Sequence, residues 1–283
     1  MTTNPYILDF EQLFRYAVYL HDKEKATATV QKYIQDIKVL MRYQKGKPLT
    51  KRQLILWKED LLQQYAAASV NTMIAAINSF LEFMGWDHLK VQRVRVQRNL
   101  FCFAKKELGK MEYCRLVQAA QDKKNPRLAL VIQTICATGI RVSELQYITA
   151  EAVRTGYAQV SSKGKCRLIF LPKRLRKLLL HYLQKQKITA GAVFVTRNGK
   201  PLDRSNIWRE MKALCQNAKV AEEKVFPHNL RHLFARTYYA LEKDVSRLAD
   251  ILGHSSINTT RLYTIESGEV HARQLDRMDL VTT

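Results

Sequence analysis

Apolar residues recur at intervals of three and four over much of this chain, and this spacing constrains its fold more than any other feature. The first run passes through Val30, Tyr33, Ile34, Ile37, Leu40 and Met41. A second covers residues 49–65 with Thr50 as its N-cap, and a third starts with Ser69 as its cap and stops at Gly85. Such spacing places apolar side chains on one face of an α-helix. The first hundred residues are therefore expected to form a helical domain.

The second half of the chain has a mixed pattern. Pro126 can open a helix that breaks at Gly139, and a short helix is expected to restart near Ser143. The segments YAQVSS and CRLIFLP flank SKGK, which predicts a β-hairpin. A helix over 172–186, a short strand over 192–196 and a helix capped by Asp203 should follow, and three more helices should cover 228–241, 245–252 (ending before Gly253) and 257–264.

This pattern predicts a mainly α fold with a small β-sheet and two domains. The helical domain spans residues 1–88, and the second domain spans residues 108–283. Helical periodicity fades between them, where Arg93, Arg95 and Arg98 crowd together. A basic linker over residues 89–107 is the favoured interpretation, and a β-strand with its arginines on one face is the alternative.

The chain carries 47 basic and 25 acidic residues, a net charge of +22. An excess of this size points to a polyanionic partner, with nucleic acid the first candidate and an anionic membrane the second. Neither a signal peptide nor a membrane-length apolar run is visible. The five cysteines include no C-x-x-C pair, which argues against a disulfide framework and a cysteine zinc site. A cytoplasmic protein that binds nucleic acid is expected.

The stretch FPHNLRH, residues 226–232, contains two histidines and an arginine on one predicted helix. His228 and His232 are four residues apart, a spacing that suits a metal, whereas His228 and Arg231 are three apart, a spacing that suits a phosphate. Helical zinc hydrolases carry a glutamate beside the first histidine, but Asn229 stands here. A plain polar helix start is the third interpretation, and this stretch alone favours it.

Three other segments contain residues that could complete a phosphate site. In GIRVSEL, Arg141 sits where a helix restarts and Glu144, three residues on, can brace a neighbour, and in SSKGKCR, Lys163 lies at the hairpin tip. In LGHSSINTTRLYT, His254 follows a helix end and Tyr263 comes nine residues later. Each segment alone has an ordinary explanation, such as a solvated hairpin tip or a half-buried aromatic ring.

Taken in order, Arg, Lys, His-x-x-Arg, Gly-His and Tyr resemble the tyrosine recombinase family, the phage-integrase-like enzymes that include the Xer recombinases. The matches TGIRVSEL, SKGK, HNLRH and LGHSSINTTRLY cover residues 108–264. The resemblance implies that Tyr263 attacks a DNA backbone phosphate and forms a 3′-phosphotyrosine link. It also implies the roles of the other residues. Arg141 and Arg231 hold the non-bridging oxygens, and Lys163 (with Lys165 as its rival) protonates the leaving 5′-oxygen. His228 assists proton transfer at the tyrosine, His254 hydrogen-bonds the phosphate, and Glu144 supports the site. His232 is then expected to be a bystander.

The resemblance further implies that no metal or nucleotide cofactor is needed, because the phosphotyrosine bond keeps the energy of the broken strand. The expected partners are double-stranded recombination sites, a homotetramer on two sites (a monomer or weak dimer without DNA) and an accessory directionality factor. Residues predicted to contact DNA are Lys45, Lys47, Lys51, Arg52, Arg93, Arg95, Arg98, Lys165, Arg167, Lys173 and Arg174. For each of these, a simple solvated charge is the alternative.

The predicted function is site-specific recombination that integrates or excises a mobile element. A Xer-like dimer resolvase and a DNA inversion switch are alternatives, and a catalytically inactive DNA-binding protein and a type IB topoisomerase are weaker ones. The tail after Tyr263 has a sparse apolar pattern through Val270, Leu275, Met278 and Leu280. Such a tail can dock on a neighbouring protomer or fray, and the sequence leaves this choice open.

Overall fold

The chain divides into two compact units, residues 1–98 and 99–283. The computed structural model describes residues 6–96, 107–162, 165–196, 198–254, 256–261, 263 and 276–278, with Ser162 and Lys165 described by their backbone alone. The predicted fold class is confirmed, since the described residues are mainly helical with one small antiparallel sheet. Within the described ranges, no helix is both long and apolar enough to cross a membrane.

The described part of the first unit is helical and has its own apolar core. Its α-helices are α1 (Phe10–Asp22), α2 (Thr27–Gln44), α3 (Lys51–Gln64) and α4 (Ala67–Phe83). Helix α3 starts where the sequence predicts, because Thr50 and Gln53 form a reciprocal capping box. The prediction that Ser69 caps α4 is wrong: the N-cap is Ala66, three residues earlier, and it makes no side-chain cap hydrogen bond.

The stretch from Lys90 to Val96 lies outside the helices and strands and belongs to the first unit. Asn78 and Asn71 hold it through their side chains: each amide donates to a carbonyl and accepts from a backbone N–H, Asn78 at Val91 and Asn71 at Val94. Val91 is buried. These side-chain contacts take the place of a strand partner, so the alternative of a β-strand is not borne out here. The rest of the predicted linker, including Arg98, lies outside the described residues.

The second unit is built around one buried helix and carries the sheet. Its elements are α5 (Lys110–Asp122), α6 (Pro126–Thr138), α7 (Ala150–Thr155), β1 (Tyr157–Ser162), β2 (Lys165–Phe170), α8 (Lys173–Gln186), α9 (Arg204–Lys212), α10 (Cys215–Ala218), α11 (Pro227–Glu242), α12 (Val245–Leu252) and α13 (Ile257–Arg261). Helix α6 starts at Pro126 and ends at Gly139 with φ of +65°, a left-handed conformation that glycine adopts without strain. Helices α5, α8 and α11 pack against it.

Two predicted elements differ from the structure. Residues 192–196 form no strand and make only isolated bridges, between Thr149 and Ala192 and between Val195 and Pro201. Val193 and Phe194 are buried, so the apolar run reflects packing in the core rather than pairing in a sheet. The last predicted helix is shorter than expected and ends at Arg261. The predicted β-hairpin is present, with Tyr157 opposite Phe170.

Candidate active site

The start of α11 lies beside a cleft of about 690 Å³ in the second unit. Pro227 opens the helix, where its missing N–H costs nothing. Leu230 and Leu233 point into the core. His228, Arg231 and His232 line the cleft on the other side, as the helical spacing predicts.

The cleft is rich in cationic and imidazole groups. Its lining includes Arg141, Arg204, Arg231, His228, His232, His254 and Tyr263. Among the described residues that line it there is no carboxylate. Nor does the described part of the chain contain a group of three or more His, Cys, Asp or Glu residues arranged to hold a metal. Fixed positive charge without a competing anion is the arrangement that binds a phosphate.

Arg231 is the most deeply buried cation of the cleft, at 2 % exposure. Its Nη1 donates to Gly139 O at 2.5 Å and its Nη2 donates to Leu252 O at 2.7 Å. Burial and the nearby Arg141 cation lower its pKa to about 10, and the Tyr263 side chain opposes this shift. The guanidinium is thus held between α6, the end of α12 and the tyrosine.

Arg141 occupies the rim of the same cleft, with its side chain 40 % exposed. Its Nη1 donates to Glu144 Oε1 at 3.0 Å, and its backbone N–H donates to Glu144 Oε2 at 2.9 Å. Its Nη2 donates to Gly253 O at 3.2 Å. Glu144, at 5 % exposure, therefore braces Arg141 from below while the exposed face of the guanidinium remains open to a ligand.

His254 is locked in one tautomer by its two neighbours. Its Nε2 lies 3.0 Å from Arg231 Nη2, and its Nδ1 lies 2.8 Å from the hydroxyl of Thr260, which is fully buried. A guanidinium has no acceptor, so Nε2 must accept and Nδ1–H must donate to Thr260. Burial, together with Arg231 and Arg141, lowers the pKa of His254 to about 4, which keeps the ring neutral at neutral pH.

His232 lines the same cleft, in contact with Tyr263, and its expected role as a bystander in the reaction stays a prediction. Its ring meets the Tyr263 ring edge to face, with centroids 4.6 Å apart, and the His228 ring in the same manner at 4.5 Å. Burial lowers the pKa of His232 to about 4, helped by His228 and Arg231. A neutral imidazole therefore contacts both His228 and the tyrosine. Spacing alone could not show this, because it depends on where the segment after α13 returns.

His228 and Arg204 form the outer edge of the cleft. His228 remains exposed to solvent. Partial dehydration lowers its pKa, and the cations of Arg231 and Arg204 add to the effect. Arg204 is the first residue of α9. The sequence does not mark Arg204 as a site residue, because the only signal there is the Asp203 cap, which indicates a helix start and says nothing about the cleft.

Arg167 has a different place from the one expected of a DNA contact. Its side chain is 14 % exposed. Its Nη2 donates to Glu144 Oε2 at 2.6 Å and its Nη1 donates to Leu252 O at 2.5 Å. Both ends of the guanidinium are thus engaged inside the protein, and Arg167 supports the residues of the cleft.

The other predicted site residues lie on exposed surface or outside the described part. Lys163 is outside the described residues, and the side chain of Lys165 is not described. The exposed ones are Lys45, Lys47, Lys51, Arg52, Arg93 and Arg95 in the first unit, and Lys173 and Arg174 in the second. Their contact with DNA remains a prediction.

The chain is similar to known proteins over much of its length. Residues 106–269 match the model of the phage integrase family. The chain is 26% identical to the tyrosine recombinase XerA of Pyrococcus furiosus, over 96% of this chain and 95% of that protein. It is 28% identical to XerD of Halalkalibacterium halodurans, over 83% of this chain and 86% of that protein.

Solved structures share the fold. A lambda integrase dimer bound to a COC′ core site is similar with a TM-score of 0.73 at 20% identity, covering 91% of this chain and 95% of that one. XerH bound to its difH substrate is similar with a TM-score of 0.68 at 18% identity, covering 95% and 90%.

The chain belongs to the phage integrase family of tyrosine recombinases, because the family model covers more than half of it. It is accordingly an enzyme of DNA strand breakage and rejoining that acts in site-specific recombination.

Proposed function

We propose that this recombinase cuts DNA with Tyr263 and holds the scissile phosphate between Arg141 and Arg231. The observation that carries the proposal is the meeting of Tyr263 with both arginines in one cleft free of described carboxylates. Arg231 and Tyr263 line this cleft together, and the Tyr263 side chain acts on the pKa of Arg231, so the nucleophile and a phosphate-binding cation are already neighbours.

In-line attack on a phosphodiester places negative charge on the non-bridging oxygens. Arg141 presents its exposed face to the cleft, and Arg231 is fixed by two carbonyls. Donors fixed in advance stabilise developing charge without reorganising, and each contributes about 3 kcal/mol. Glu144 keeps Arg141 oriented without neutralising the open face of its guanidinium.

The histidines supply acceptors for the proton of the tyrosine. A tyrosine hydroxyl ordinarily has a pKa of about 10, so attack near neutral pH requires a base. His232 and His254 have pKa values of about 4, and the pKa of His228 is also lowered. All three are therefore neutral in the free enzyme. Arg231 and Thr260 engage both ring nitrogens of His254, which leaves His228 and His232 as the proton acceptors. The family resemblance assigns proton transfer to His228, and protonation of the leaving oxygen to Lys163.

The proposed cellular role is integration or excision of a mobile element by a homotetramer on two DNA sites, in the cytoplasm. A second candidate is a Xer-like resolvase, which the match to XerA over nearly the full length of both chains favours. Solved structures of lambda integrase include a dimer on a core site and a tetramer on a Holliday junction, which supports the proposed assembly.

The cleavage proposal is tested by covalent capture on fragments of the source organism's chromosome. In the presence of a metal chelator, the wild-type protein should stay covalently attached to specific DNA fragments after it is denatured. Tyr263→Phe should bind the same fragments and retain none covalently. Tyr238→Phe is the matched control, since Tyr238 packs against the same small apolar cluster as Tyr263, and it should behave as wild type. Retention by Tyr263→Phe at the wild-type level would refute the assignment.

The captured fragments also test the cellular role. Attachment sites at the borders of mobile genes would support integration and excision. A single chromosomal site that is remote from mobile genes would support the resolvase, and inverted repeats around a promoter would support a switch. Light scattering of the purified complex on two captured sites should give four protomers, and two would contradict the tetramer.

A further inference from the structure

We propose that Arg167 is a positioning residue that fixes the two phosphate-binding arginines relative to each other. The inference rests on the proposed function, because it concerns how that site is held. Arg167 lies on β2 and is not expected to touch DNA. It shares one acceptor with each of the two arginines.

The first shared acceptor is a backbone carbonyl at the end of α12. Leu252 O accepts from Arg167 Nη1 at 2.5 Å and from Arg231 Nη2 at 2.7 Å. The next two residues of the chain are also used, since Gly253 O accepts from Arg141 and His254 contacts Arg231. The end of α12 is thus the place where all three arginines meet.

The second shared acceptor is the buried carboxylate of Glu144. Its Oε2 accepts from Arg167 Nη2 at 2.6 Å and from the Arg141 backbone N–H at 2.9 Å. Its Oε1 accepts from Arg141 Nη1 at 3.0 Å. The rigid, planar guanidinium of Arg167 therefore connects Glu144, which holds Arg141, to Leu252 O, which holds Arg231.

Burial makes this bridge sensitive to change. Arg167 is 14 % exposed and Glu144 is 5 % exposed, so each charge depends on its partner. Dehydration lowers the pKa of Arg167, the Glu144 carboxylate raises it and the Arg141 cation lowers it further. Gly253 completes the fit: a Cβ there would overlap the Arg167 guanidinium.

Removal of the Arg167 side chain should slow the cleavage of bound DNA more than it weakens DNA binding. Without Arg167, Glu144 Oε2 would lose one hydrogen-bond donor, and Leu252 O at the end of α12 would lose its hydrogen bond from β2. The exposed basic surface would be unchanged. A displacement of about 1 Å in a reacting group can cost about 100-fold in rate. The expected loss is therefore in cleavage of bound DNA.

Arg127 offers a matched control in the same unit. Its Nη1 donates to Val195 O at 2.9 Å and its Nη2 donates to Glu210 Oε1 at 2.8 Å, so it also joins one carbonyl to one carboxylate. It is not among the residues that line the cleft. Arg127→Ala removes the same kinds of bond without touching Arg141 or Arg231.

The test measures single-turnover formation of the covalent adduct at saturating protein, on a fragment captured by wild type, together with the dissociation constant of that fragment. Arg167→Ala should form the adduct at least about 10-fold more slowly than Arg127→Ala, with a dissociation constant within about 3-fold of it. Thermal unfolding of both variants checks that they fold. Lysine is a point charge that can reach one of the two acceptors, so Arg167→Lys should form the adduct at an intermediate rate.

The outcomes separate the two proposals. Equal rates for Arg167→Ala and Arg127→Ala, or a wild-type rate for Arg167→Lys, would overturn the positioning role while leaving the proposed function intact. Should Arg167→Ala not fold, the comparison of Arg167→Lys with wild type decides. Absence of any adduct with wild-type protein would overturn the proposed function, and this inference with it.

Discussion

Acidification from pH 6.5 to pH 4 is expected to destabilise the second unit through His232. The ring is packed between His228, Arg231 and Tyr263, and its pKa is lowered from 6.5 to about 4. The folded protein keeps this ring neutral in a pH range where the unfolded chain binds a proton. The stabilisation is therefore complete above pH 6.5 and is lost progressively as the pH falls to about 4.

The size of the effect follows from the shift in pKa. One pKa unit corresponds to about 1.4 kcal/mol, so a shift from 6.5 to about 4 corresponds to roughly 3 kcal/mol. His254 has a pKa of about 4 and adds a loss of the same sign. The variant His232→Phe keeps a ring against Tyr263 and cannot titrate, so it should lose the contribution from His232 and keep those from His254 and His228.

The assay is urea unfolding of the full chain at pH 7.5, 6, 5 and 4, for wild type and His232→Phe. The first unit is identical in both proteins, so its contribution cancels in the difference between them. The free energy of unfolding of wild type should fall more steeply with acid, by about 3 kcal/mol between the two ends of the range. Parallel pH profiles for the two proteins would show that His232 is not held neutral by its surroundings.

Two further substitutions test the supports of the site. Thr260→Val keeps the shape of a fully buried side chain but leaves His254 Nδ1–H without its acceptor, which should cost about 1–3 kcal/mol in urea unfolding and slow adduct formation; wild-type stability would contradict the hydrogen bond between His254 and Thr260. Gly253→Ala places a Cβ at φ +65° against the Arg167 guanidinium. It should lower the midpoint of thermal unfolding more than Gly191→Ala, where φ is +79° and no atom lies within 4 Å, and equal losses would indicate backbone strain alone.

The residues that local motifs mark were predictable from the sequence. Arg141 follows a glycine break, His228 and Arg231 share a helix face, and His254 follows a helix end. Each of these signals lies within a few residues of the chain. The structure brings these side chains to one cleft with Tyr263, as the order of the motifs suggested.

The supports of the site could not be predicted, because they depend on packing between distant elements. Arg167 is one of seven basic residues within a short stretch, and only the contact of β2 with α12 sets it apart. His232 becomes part of the site because Tyr263 returns against it. Arg204 reaches the cleft because of where α9 lies. Residues 192–196 show the same limit for the fold, since an apolar run does not tell a paired strand from a buried loop.

The most direct test of the account is to find which residue carries the DNA. Trypsin cleaves after Arg261 and after Arg273, so it should release Tyr263 in the peptide 262–273. After nuclease treatment of the wild-type adduct, mass spectrometry should show a nucleotide joined to Tyr263 in this peptide through a 3′-phosphate. A nucleotide on any other peptide, such as the one with Tyr238 and Tyr239, or a link through a 5′-phosphate, would contradict the account.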